Sequence, residues 1–86
     1  MGRRDAAGRL AMFIALMEKH REGAARSGEV PVPMTRSDIA HFLGLSLESV
    51  TRAAAELERR GLVKFENRHL ARITDATRLA KLVAAV

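Results

Sequence analysis

Three residues of this 86-residue chain, Glu48, Thr51 and Arg52, have the types and spacing to form a polar contact face. They stand at i, i+3 and i+4, which puts a carboxylate, a hydroxyl and a guanidinium on one side of a helix, opposite Val50, Ala54 and Leu57. Taken alone, Glu48 and Arg52 also make a favourable i, i+4 surface salt bridge worth about 0.3 kcal/mol. Other chemistry is poorly served. His20, His41 and His69 lack a second ligand at metal spacing and there is no cysteine, so neither a zinc site nor an iron–sulfur cluster is expected. No serine combines a histidine partner with a nucleophile elbow, and no glycine-rich phosphate loop occurs. The expectation is a protein that is not an enzyme and needs no cofactor.

The charge balance names a class of partner. With 15 Lys+Arg against 10 Asp+Glu the chain carries a formal +5, which points to a polyanion, either nucleic acid or an anionic membrane surface. Twelve of the 15 cations are arginines, and the planar guanidinium favours bidentate phosphate and base-edge contacts, which tilts the choice toward nucleic acid. The longest apolar run, Leu10 to Met17, is eight residues, far short of the roughly 20 that cross a bilayer, so no membrane span is expected, and nucleic acid rather than a membrane is the expected partner. That run ends in Glu18-Lys19-His20-Arg21 with no small-residue cleavage site, so Arg3-Arg4 before it does not make an export signal. The absence of cysteine fits a reducing cytoplasm, the expected compartment.

Elements that would position the polar face follow from periodicity and caps. Ala6, Leu10, Phe13, Ile14 and Met17 recur at helical steps from Asp5, a capping residue, to about Arg21, with Gly23 as a stop. Glu29 to Met34 holds two prolines and reads as an extended edge strand. Thr35 opens a second helix, with Asp38 completing a capping box and Ile39, Ala40, Phe42 and Leu43 as its apolar positions. Gly44 interrupts, and Ser46 caps a third helix from Leu47 to about Arg60, ended by Gly61, with Val50, Ala53, Ala54 and Leu57 as its core stripe. Leu62–Glu66 and Leu70–Ile73 flank Asn67-Arg68-His69 as a tight hairpin, with Asn67 able to take positive φ. A last helix follows, capped by Thr74 or Asp75, with Ala76, Leu79, Ala80, Leu82 and Val83 apolar.

Helices two and three are too close to lie antiparallel, and a short turn with glycine sets them at a steep angle, as in a helix-turn-helix. A hairpin directly after the third helix adds a wing. The fold class is therefore mainly α with a small β-hairpin wing, a winged helix-turn-helix. One domain over residues 1–86 is expected, with the helix-turn-helix at about 35–60, the wing at about 62–73 and the C-terminal helix at about 75–84.

Met34-Thr-Arg-Ser-Asp-Ile-Ala-His-Phe-Leu-Gly-Leu-Ser-Leu-Glu-Ser-Val-Thr-Arg52, followed by Leu57-Glu-Arg-Arg-Gly-Leu-Val63, resembles the DNA-binding signature of the bacterial Crp/Fnr transcription regulators. Asp5-Ala-Ala-Gly-Arg-Leu-Ala11 is similar to the segment just after that family's interdomain hinge. The resemblance implies double-stranded DNA as partner, with Glu48 accepting from a cytosine amino group, Arg52 donating to guanine O6 and N7, and Thr51 touching a thymine methyl. Thr35, Arg36, Ser46 and Ser49 would hold phosphates at the two helix starts, and Arg68 and His69 would do so at the wing tip. Leu47 stands where the cyclic-AMP receptor subgroup has arginine. That departure looks like the Fnr/FixK subgroup and implies a TTGA-type half-site. Family members also carry a sensor domain and a long dimerisation helix, so the resemblance implies a dimer in the intact regulator, with RNA polymerase as a further partner. This chain lacks room for that helix before Asp5 and reads as the output domain.

Two other classes compete. One is a winged-helix protein–protein interaction module whose basic surface meets an acidic partner; the other is an arginine-rich amphipathic protein of the membrane surface.

Overall fold

A computed structural model describes residues 5–20 and 28–85, in the order α1 (Ala6–His20), β1 (Glu29–Pro31), α2 (Arg36–Leu43), α3 (Leu47–Arg59), β2 (Val63–Asn67), β3 (Leu70–Ile73) and α4 (Ala76–Ala84). Arg21 and Gly23, the expected end of the first helix, lie outside the described residues.

Each helix that bears on the polar face starts where a side chain satisfies its first free N–H groups. The Asp5 carboxylate accepts the Gly8 N–H at 2.8 Å. Thr35 and Asp38 close a reciprocal capping box, and the Ser46 hydroxyl accepts the Ser49 N–H at 3.0 Å. Between α2 and α3 the chain reverses at Gly44, whose φ of 72° lies in the left-handed region that costs an L-residue about 1 kcal/mol. Leu45 then donates to the Ala40 carbonyl at 2.8 Å, and Arg9 of α1 donates to the Leu43 carbonyl at 3.1 Å, which ties the end of α2 to the first helix.

The core is aliphatic and continuous. Leu10, Phe13 and Ile14 of α1 meet Ile39 and Ala40 of α2, the full expected stripe of α3 (Val50, Ala53, Ala54, Leu57), and Val30, Val63 and Ala71 of the sheet. Ala7 and Ala11 widen the buried face of α1 beyond the expected positions, and α1 packs against both α3 and α4. No buried side-chain N or O among the described residues lacks a partner, and no charged or polar residue among them is buried.

The extended segment at Glu29 is the expected edge strand, and the structure adds its partner: it pairs antiparallel with β3, Val30 opposite Ala71, in a sheet ordered β1-β3-β2. Strands that pair across 40 residues leave no local signal. The hairpin tip uses no positive φ at Asn67, since among the described residues only glycines have one. Instead Glu66 bulges out of register and the Asn67 side chain accepts the His69 N–H at 2.8 Å, so bulge and Asx turn together reverse the chain. Asp75 alone caps α4, accepting the Arg78 N–H, while the Thr74 hydroxyl donates to the Gly61 carbonyl at 2.7 Å. Ala76 and Ala80 are exposed, and α4 packs on α1 through Leu79, Leu82 and Val83. Phe42, expected as an apolar position of α2, is 67% exposed although its ring stands 5.8 Å from that of Phe13, and among the described residues no helix is long and apolar enough to cross a membrane.

Candidate nucleic-acid interface

Helix α3 divides cleanly by face. Val50, Ala53, Ala54 and Leu57 are buried, so its packing fixes its rotation, and Glu48, Thr51 and Arg52 are turned outward together. Arg52 donates to the Glu48 carboxylate at 2.8 Å, with the two side chains 77% and 73% exposed. An ion pair that open is worth about 0.3–0.5 kcal/mol, too little to hold the guanidinium against a better acceptor, yet enough to favour one rotamer.

The helix starts carry the expected phosphate ligands in unequal states. The Thr35 hydroxyl accepts the Asp38 N–H at 3.1 Å and keeps its own proton to give. Ser46 both accepts from Ser49 N–H and donates to the Ser49 hydroxyl at 3.0 Å, so its proton is committed and Ser49 is the hydroxyl left to donate. Ser46 is first of all a helix cap. The free N–H groups of the first turn of α3 point the same way.

The wing tip is anchored more firmly than the sequence suggests. Val32 donates its N–H to the His69 carbonyl at 2.8 Å, and the His69 ring Nδ1 lies 3.3 Å from the Val32 carbonyl oxygen. That contact engages one ring nitrogen and leaves Nε2. Arg68 stands exposed at the tip itself.

Between wing and helix starts lies an open groove lined by Thr35, Arg36, Leu47, Phe65, Asn67 and Arg68. Sequence reasoning assigned Arg36 to a phosphate and missed its neighbour. The guanidinium sits 5.4 Å from the centroid of the Phe65 ring, a cation–π contact that joins α2 to the wing. Leu47, 49% exposed, forms an apolar step on the groove wall; its i, i+3 relation to the buried Val50 is the only sequence signal that it flanks the core stripe.

Away from the groove, carboxylates offset several cations. Arg59 and then Arg60 donate to Glu56 at 2.5 and 2.6 Å and hold its carboxyl below the usual glutamate range, while the same bond raises the Arg59 guanidinium. Arg72 of β3 bonds Glu66 of β2 and Glu29 of β1, each at 3.0 Å, and Glu66 foremost raises its pKa. This pairing spans all three strands. The described residues hold no group of three or more His, Cys, Asp or Glu fit to bind a metal ion.

A glycine-turned helix pair, followed by a hairpin that packs beside the second helix, defines the winged helix-turn-helix class. Residues 8–82 match the Crp-like helix-turn-helix domain, and the chain belongs to that family. It is 36% identical over 86 residues to the nitrogen fixation regulation protein FixK of Bradyrhizobium diazoefficiens, covering 99% of this chain and 36% of that protein. With the transcriptional activator protein FnrL of Cereibacter sphaeroides the identity is 32%, over 92% of this chain and 34% of the relative. Among solved structures, FixK2 from Bradyrhizobium japonicum superposes with a TM-score of 0.81 at 35% identity, covering 99% of this chain and 41% of that one. The chain thus spans about a third of the length of these curated relatives, which are transcription regulators.

Proposed function

We propose that residues 1–86 act as the output domain of a Crp/Fnr-type transcriptional regulator, binding double-stranded DNA sequence-specifically. The observation that carries this reading is the outward face of α3, where Glu48, Thr51 and Arg52 stand exposed together beside a wing and two capped helix starts. On this reading α3 enters the major groove. Arg52 then leaves the Glu48 carboxylate for guanine O6 and N7, Glu48 accepts from a cytosine amino group, and Thr51 meets a thymine methyl. Thr35, Arg36, Ser49 and the first-turn N–H groups around Ser46 hold the phosphates on one side, and Arg68 and His69 those under the wing. Leu47 stands where the cyclic-AMP receptor subgroup has arginine, and its side chain cannot donate to a base; that departure resembles the Fnr/FixK subgroup and favours a TTGA-type half-site over a TGTGA type.

The intact regulator is a dimer on this reading, with two such domains about 34 Å apart on a palindrome. It works in the cytoplasm, where its DNA and RNA polymerase are. Titrating the domain with salt against a palindromic TTGA duplex and a scrambled duplex of equal length tests the assignment. Tighter binding to the palindrome is expected; equal, steeply salt-dependent binding to both reduces the surface to a general basic patch and favours an acidic protein partner.

A further inference from the structure

The chain passes from α3 into β2 through the turn at Gly61, and a side chain of the helix then reaches back to the strand. The Glu58 carboxylate, in the last turn of α3, accepts the backbone N–H of Phe65 at 2.7 Å across seven residues. β2 is an outer strand of the sheet, so this bond covers an edge N–H that otherwise faces water. An ionised acceptor makes it one of the stronger bonds an exposed site allows. The same residue is held from a second element, since its ring lies under the Arg36 guanidinium of α2. Beyond Phe65 the strand bulges at Glu66 and turns through Arg68. Phe65 is therefore the point at which both helices of the helix-turn-helix grip the wing.

Glu58 is exposed and contributes nothing to the core. On a surface of net positive charge that faces a polyanion, a carboxylate repels phosphate, so its charge alone works against binding. We propose that Glu58 is a positioning residue: its bond to the Phe65 N–H sets the wing against α3, so that Arg68 meets the DNA backbone while Glu48, Thr51 and Arg52 face the bases. The inference rests on the DNA-binding reading above and adds to it the element that sets the distance between its two contact regions.

The test uses Glu58→Ala, which removes acceptor and charge, and Glu58→Gln, which keeps an acceptor oxygen without the charge. Each is made with and without Arg68→Ala. Hydrogen exchange at the Phe65 amide is expected to accelerate most in Glu58→Ala and less in Glu58→Gln, which keeps a neutral acceptor for the N–H. Affinity for the palindromic duplex is expected to fall about fivefold in Glu58→Ala, the scale of one exposed hydrogen bond, with no further fall when Arg68 is already alanine. Glu58→Gln is expected to bind at least as tightly as wild type. Equal or tighter binding by Glu58→Ala overturns the inference, because only the charge then matters; so does a full additional loss in the Arg68→Ala background. Should Arg68→Ala leave binding unchanged while Arg52→Ala abolishes sequence preference, the positioning role falls and the α3 reading stands. Loss of preference in neither variant overturns the DNA reading itself.

Discussion

Replacing Arg52 with alanine separates what this side chain does for the fold from what it does for recognition. In the free protein it donates to Glu48 at 2.8 Å, and both partners are about three-quarters exposed (77% and 73%). Removing such a pair costs stability of about 0.3–0.5 kcal/mol, and alanine's higher helix propensity returns part of that. A bidentate arginine–guanine contact, by contrast, carries about 1–3 kcal/mol of discrimination, roughly 5- to 150-fold in affinity. The two scales differ enough to be read independently. The assay is fluorescence anisotropy against palindromic TTGA and scrambled duplexes over a salt series, paired with urea denaturation of each variant. The expected result is an unchanged unfolding midpoint, weakened binding to the palindrome and little change on scrambled DNA. Equal loss on both duplexes, with the salt slope flattened by about one, would make Arg52 a phosphate contact and refute its assignment as a base reader. A stability loss above about 1 kcal/mol would refute the structural premise that the pair is only a surface bridge.

Three further outcomes follow from the packing. Leu57 is 0% exposed at the centre of the core, and Leu57→Ala is expected to cost about 2–5 kcal/mol, read as a lowered denaturation midpoint with little change in m-value. At Gly44 an added Cβ meets nothing within 4 Å, so Gly44→Ala pays only for its φ of +72°, about 1 kcal/mol, and Gly44→Asn less; equal losses in the two would point to a steric rather than a torsional cause. The Glu56 carboxyl is held below its ordinary value of 4.5 by Arg59 first and Arg60 second. Because the folded state favours the ionised form, its contribution is present above pH 4.5 and lost as pH falls through the lower folded value. Side-chain carboxyl NMR titration is expected to place Glu56 below that ordinary value, and Glu56→Gln to flatten the acid end of the stability curve.

How much of this was legible in the sequence depends on the range of each interaction. Caps act over three residues, and the starts at Asp5, Thr35 and Ser46 were readable because Asp, Thr and Ser each accept an N–H within that span. The stripe Val50, Ala53, Ala54 and Leu57 was readable because helical period and burial coincide, and it fixed by geometry which residues of α3 face outward. The pairing of β1 with β3 was not, since Val30 and Ala71 meet only after the whole helix-turn-helix has folded between them. Apolarity alone also failed to separate Ile39, buried, from Phe42, which α2 turns outward.

The candidate site divides along the same line. Periodicity identifies a face and says nothing of what stands beside it, so Glu48, Thr51 and Arg52 emerge as a set while the placement of the wing does not. That placement lies in side-chain contacts between elements: Glu58 to the Phe65 N–H, Arg36 over the Phe65 ring and His69 to Val32. Each of the three joins a polar side chain to backbone or to a ring, so none requires a complementary charge elsewhere in the sequence to announce it. A domain of this size has little buried area with which to hold a hairpin rigid. It uses directional bonds at the hairpin's root and tip instead, and on the DNA-binding reading proposed above those bonds set how far from α3 a phosphate is met.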